Sequence, residues 1–92
     1  MARTVGDPIP MWIWDAAEME RERQRAMWDR EHAWGRGDCS SHAVDETVKV
    51  AVLLEEVGEV AHAVLTQNHE NLRAELVQVV AVAVAWLEGM GQ

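Results

Sequence analysis

Two stretches of about twenty residues dominate this chain, ETVKVAVLLEEVGEVAHAVL from Glu46 to Leu65 and ENLRAELVQVVAVAVAWLE from Glu70 to Glu88. Only a short polar turn, Thr66 to His69, separates them. Twelve valines lie between Val44 and Val84, and Val48-Val50-Val52 and Val80-Val82-Val84 alternate as strand residues do. Length decides against strands, because each stretch is several times longer than a usual strand. Alanine fills the alternate positions of Val80 to Val84, and alanine favours helix. Helices this apolar around their circumference must be buried, which a chain of 92 residues achieves most readily by self-association. The expected architecture is therefore all-α, a bundle of three to four helices per chain completed by oligomerisation.

A third segment, Met11 to Trp34, reads as the first helix, because Pro8 and Pro10 exclude an earlier start. Its charged stretch EMERERQRAMWDREH includes like-charge neighbours, so local ion pairing is not its main support. Ile13, Ala17, Met27, Trp28 and Trp34 mark the face that packs. Residues 35–45, GRGDCSSHAVD, read as loop, with Asp45 as N-cap of the second helix. Asn68 caps the third helix and Gly89 stops it. The expected organisation is an N-terminal extension, residues 1–10, followed by one domain, residues 11–90.

Charge and cysteine content narrow the function. Eight basic against sixteen acidic residues leave a net charge of −8, the reverse of the basic footprint that nucleic-acid binding requires. The single cysteine, Cys39, rules out a disulfide framework within the chain and fits a cytoplasmic setting. Cys39 and His42 form a C-x-x-H, but a zinc site needs two further ligands. The longest unbroken apolar run, Val79 to Leu87, has nine residues, well short of the roughly 20 that cross a bilayer.

The acids inside the apolar helices carry the chemistry. Glu56 and Glu59 stand three residues apart and Glu55 and Glu59 four apart, so all three crowd neighbouring positions of one helix. A divalent cation would turn their repulsion into attraction, although a solvated helix face shows the same spacing. In the next helix Glu75 and Gln78 repeat the three-residue separation within an apolar run. Glu75 there needs a cation or hydrogen-bond donors, whereas Gln78 offers a neutral oxygen only.

The string VLLEEVGEVAHAVL followed by NLRAELVQVVAVAVAWLE resembles the MazG-like branch of the all-α NTP pyrophosphohydrolases. That family is marked by Glu-x-x-Glu and, further on, Glu-x-x-Asp. Here Glu56 and Glu59 form the first pair, Glu75 begins the second, and Gln78 takes the place of the aspartate, one negative charge fewer. The upstream ERQRAMWDREHAW is similar to the family's first helix, extending the resemblance over about residues 18–88. The resemblance implies hydrolysis of a nucleoside triphosphate to monophosphate and pyrophosphate, with Mg²⁺ or Mn²⁺ held by Glu56, Glu59, Glu75 and Gln78. Glu55 or Glu56 would orient or deprotonate the attacking water, Lys49 would touch phosphate, and Trp28, His32 and Trp34 would stack on or hydrogen-bond the base. A homo-oligomer, dimer or tetramer, is also implied. The rival from another class is a non-catalytic helical module of the same fold, which Gln78 favours.

Overall fold

A computed structural model describes residues 6–91, so residues 1–5 of the expected N-terminal extension lie outside the described residues. Three helices, not four, form the described chain: α1 (Met11–Trp28), α2 (Glu46–Leu65) and α3 (His69–Met90). Between α1 and α2 a two-rung hairpin pairs β1 (Glu31–His32) with β2 (Gly35–Arg36) in antiparallel register. The all-α expectation holds for the bundle, and no described helix is long and apolar enough to cross a membrane.

Pro10 precedes α1 in extended geometry, and its carbonyl accepts the first helical bond from Ile13 N–H at 3.1 Å. The helix then ends at Trp28, six residues before the expected Trp34. The chain leaves the helix at Asp29, with φ −76° and ψ 68°. Gly35, at φ +125°, then turns the hairpin beneath the Ala43 carbonyl, where a Cβ would collide with that oxygen. The hairpin also stacks the His32 and Trp34 rings, 4.9 Å apart and 2° from parallel, which a helical spacing of two residues would point apart.

The turn between α2 and α3 uses Gln67 at φ 55°, and the Asn68 side chain accepts from Asn71 N–H at 3.1 Å, as its N-cap role requires. Asp45 is extended at the start of α2 but makes no side-chain cap bond; its carboxylate instead accepts from the Thr47 hydroxyl at 2.9 Å. Gly89 does not stop α3, which runs on to Met90 with Gly91 as its cap. Gly89 is buried, and a Cβ there would meet the Ser40 carbonyl oxygen at 2.9 Å. Its role is to let the 37–41 loop lie against the helix.

The core of the protomer is thin. Its buried apolar residues are mostly small, with Ala17, Ala63, Ala81 and Ala85 alongside Val44, Val82 and Cys39. Small side chains let α1, α2 and α3 approach closely, but the larger ones point outward. Val50, Leu54, Val57 and Val64 on α2, and Leu76, Val80 and Leu87 on α3, are exposed at spacings of three, four or seven residues. Leu54 and Leu87 leave 63% and 65% of their surface in water. An apolar stripe of this extent on two adjacent helices is unusual for a solitary domain.

One buried cation ties the layers together. The Arg21 guanidinium, 2% exposed, donates from Nη1 to Asp38 at 2.7 Å and from Nε and Nη2 to the two oxygens of Glu88, each at 3.1 Å. It thereby joins α1 to the end of α3 and to the loop that walls the candidate site.

Candidate active site

A cavity of about 270 Å³ opens between α1, the hairpin loop and the α2–α3 pair. Its walls are of three kinds. Trp28, Trp34 and Met27 form an aromatic and apolar side, Val44, Val48, Val52 and Val82 form the floor, and Glu55, Glu56 and Gln78 bring the acidic side from α2 and α3. The cavity is thus apolar at one end and charged at the other, the shape of site that a ligand with a flat ring and anionic groups would need.

Glu56 and Glu75 are the two carboxylates that the fold treats unlike any surface acid. Both have an Oε2 atom buried without a hydrogen-bond partner among the described residues. Burial pushes the Glu56 carboxyl above its ordinary value, and the charges of Glu75, Glu55, Glu59 and Glu20 push it further. A desolvated carboxylate among like charges is costly unless a cation or donors arrive. Glu56 is also the point where acids of all three helices meet, Glu20 from α1, Glu55 and Glu59 from α2, and Glu75 from α3.

The predicted constellation is gathered in part. Glu55, Glu56 and Gln78 line the cavity, and Glu75 acts on Glu56 from α3. Glu55 and Glu59 remain exposed. Among the described residues no three His, Cys, Asp or Glu side chains close into a metal-holding group. The unpartnered oxygens of Glu56 and Glu75 are hard donors that suit Mg²⁺ or Mn²⁺, so the residues fit such an ion in kind. The isolated protomer does not draw Glu59 in with them.

Trp28, His32 and Trp34 form the cluster that their sequence proximity suggests. Trp28 lies 4.9 Å from His32 and 6.0 Å from Trp34, ring centre to ring centre, both tilted. Trp28 and Trp34 face the cavity, while His32 backs Trp34 and places Nε2 3.2 Å from the Trp28 carbonyl oxygen. His32 thus supports the ring that a ligand would meet.

Lys49 is placed differently from the expectation. It is buried and lines a separate depression with Trp86, Glu46 and Gly89, not the cavity that holds Glu56. The reason is distance along α2: seven residues carry Lys49 about 10 Å from Glu56, to the start of the helix, which packs on the end of α3 where Trp86 donates its indole N–H to Glu46 at 3.2 Å.

Two residues of the site went unrecognised in the sequence. Glu20 adds its charge to Glu56 from α1, and Arg23 lines the cavity while pairing with Glu20. Both sit in a run of alternating Glu and Arg that offers no local signal distinguishing one member from the next. Their position on the cavity side depends on the crossing of α1 over α3.

Residues 45–89 match the family model of the MazG nucleotide pyrophosphohydrolase domain. This stretch of the chain is MazG-like. The matched stretch comprises α2, the turn and most of α3, and so contains Glu55, Glu56, Glu59, Glu75 and Gln78. The α1 side of the cavity, with Arg23 and Trp28, and Trp34 of the hairpin lie outside it. Neither the curated proteins nor the solved structures contain a match to this chain.

Proposed function

We propose that this MazG-like protein is a divalent-metal-dependent nucleoside triphosphate pyrophosphohydrolase that releases monophosphate and pyrophosphate, clearing surplus or non-canonical nucleotides from the cytoplasm. The observation that carries the reading is the pair of buried, unpartnered carboxylate oxygens on Glu56 and Glu75, within the segment that matches the MazG domain. Mg²⁺ or Mn²⁺, held by Glu56, Glu59 and Glu75 with the Gln78 carbonyl oxygen, would neutralise phosphate charge there. Glu55, exposed at the cavity rim, is the carboxylate free to accept a proton from the attacking water, with Glu56 the alternative base. Water adds to the α-phosphorus, the bond from that phosphorus to the α–β bridging oxygen breaks, and pyrophosphate leaves with that oxygen. Trp28 and Trp34 present ring faces at the apolar end, where a base would stack with His32 behind them.

The exposed stripe on α2 and α3 supports a homo-oligomer, a dimer or a dimer of dimers, in which a second copy covers Leu54, Val57, Leu76 and Val80. A second reading, a helical module that binds without turnover, is favoured by Gln78 and by the lack of a closed ligand set among the described residues.

Product analysis separates the two. A panel of ribo- and deoxyribonucleoside triphosphates is incubated with Mg²⁺ or Mn²⁺ and the parent, Glu59→Ala or Gln78→Asp protein. Monophosphate and pyrophosphate in equal amounts from the parent, lost in Glu59→Ala and increased in Gln78→Asp, is the expected result. No product from the parent or from Gln78→Asp with any nucleotide would overturn the enzymatic reading.

A further inference from the structure

Every positively charged side chain among the described residues can be followed to a partner or a place. Arg21 is buried on Asp38 and Glu88, and Arg25 joins Glu88 from outside at 3.5 Å. Arg36 pairs with Asp29 at 3.3 Å, Arg30 lies over the Trp28 ring, and Arg73 lies over Trp12 at 3.9 Å. Lys49 belongs to the separate depression. That leaves Arg23 as the one cation among the residues lining the cavity, against Asp38, Glu55 and Glu56. Asp38 is already committed to Arg21 and Ser40, so the net character of the remaining wall is acidic.

Arg23 is held in a way that is easily exchanged. Its Nε donates to Glu20 Oε1 at 2.8 Å and its Nη2 to Glu20 Oε2 at 2.6 Å, a two-pronged grip between neighbours on one helix. The guanidinium is half exposed, so water can replace part of its contact, although the Glu20 carboxylate it holds is only 12% exposed. The same fork matches two oxygens of a phosphate, with more charge to meet it. Glu20, once released, keeps a 3.4 Å bond from Gln24 and faces the Glu56 cluster. The attraction between Arg23 and Glu56 places the guanidinium within electrostatic reach of the acidic end.

We propose that Arg23 is a phosphate-binding arm of this cavity, latched to Glu20 while no nucleotide is bound and transferred to the polyphosphate on binding. The proposal rests on the nucleotide reading above, but binding of a polyphosphate tests it apart from turnover. The Trp28 and Trp34 rings in the cavity wall provide a fluorescence signal for titration with Mg²⁺–tripolyphosphate, a probe that needs no knowledge of the base. Arg23→Gln is expected to weaken the complex about tenfold, Arg23→Lys less, and Glu20→Gln, which removes the competing carboxylate, to tighten it about twofold. Arg23→Lys should melt with the parent and Arg23→Gln somewhat below it, because the Glu20 carboxylate, 12% exposed, then lacks its partner, so affinities are compared well below the melting temperature of every variant. In turnover, Arg23→Gln raises KM for the best nucleotide more than it lowers kcat. Unchanged tripolyphosphate affinity in Arg23→Gln, with a parent that binds the probe and hydrolyses nucleotides, overturns the arm and leaves the pyrophosphohydrolase reading standing. A parent that binds tripolyphosphate but turns over no nucleotide overturns that reading and leaves the arm to be judged on affinity. A parent that neither binds nor hydrolyses overturns both.

Discussion

Replacing Arg21 by methionine removes a buried charge while keeping most of the stem's volume. Four charge-assisted hydrogen bonds are lost, one to Asp38 at 2.7 Å, two to Glu88 at 3.1 Å and one to the Gln24 amide oxygen at 3.2 Å. The two carboxylate partners dominate and do not weigh equally. Glu88 is 38% exposed and is rescued by water and by Arg25, so its share is about 1 kcal/mol. Asp38 is 8% exposed and is left as a charge without its counter-ion, retaining only Ser40 as donor, which costs about 3 kcal/mol. The sum of about 4 kcal/mol is a large part of the roughly 5–14 kcal/mol expected for a 92-residue domain. Urea unfolding followed by tryptophan fluorescence, at fixed protomer concentration, measures it. Adding Asp38→Asn to Arg21→Met should restore about half the loss, because the orphaned charge is then gone. The pH dependence has a definite sign. Burial works to raise the Asp38 carboxyl, but hydrogen bonds from Ser40 and Arg21 outweigh it and hold the group below its usual range. The Glu88 carboxyl is lowered by its bond from Arg21. Both therefore stabilise the fold fully above the ordinary carboxylate range, and that contribution disappears as pH falls through their lowered values. A loss under 1 kcal/mol in Arg21→Met, or an acid limb identical to the parent's, would refute the assignment of Arg21 as the tie between α1, α3 and the loop.

Glu56→Gln has the opposite sign: burial and four neighbouring acids hold the Glu56 carboxyl above its usual value, so the stability given by its proton is lost as pH rises through the range above that value. The variant, neutral throughout, should melt a few degrees higher than the parent at pH 7 in chelator, a gain on the order of 1 kcal/mol at most once solvent screening is allowed for. Mg²⁺ should then raise the melting temperature of the parent and leave the variant unmoved; a parent melt indifferent to Mg²⁺ and Mn²⁺ would count against a metal site. Leu54→Glu places a charge in the middle of the exposed α2 stripe, and sedimentation should show the parent as an oligomer and the variant shifted to monomer.

Much of this protein is legible from residue order because it follows from local physics. Two stretches of about twenty residues rich in alanine and valine are too long for strands and form α2 and α3, Asn68 caps as its side chain requires, and Glu56 and Glu75 stand out as acids within apolar helices, where the fold buries one oxygen of each without a partner. Trp28, His32 and Trp34 are near in sequence, so their clustering is also foreseeable. Periodicity is silent, however, on backbone approach. It does not reveal that Gly35 lies under Ala43, or that Gly89 is a seat for Ser40 and not a helix stop.

What the tertiary structure alone decides is which members of equivalent sets face one another. Arg21, Arg23 and Arg25 are interchangeable in a charged helical run, yet one is buried across three elements, one lines the cavity, and one sits outside on Glu88. Lys49 and Glu56 share a nominal helix face, yet they line different cavities because Lys49 lies beside the end of α3 at Trp86 and Gly89, whereas Glu56 lies beside Gln78 of α3 and within reach of Glu20 from α1. Helix identity is a sum of short-range preferences that each residue carries with it. The charge environment of a side chain is a sum over neighbours from other helices, and their positions depend on crossing geometry and on the small residues that permit close approach.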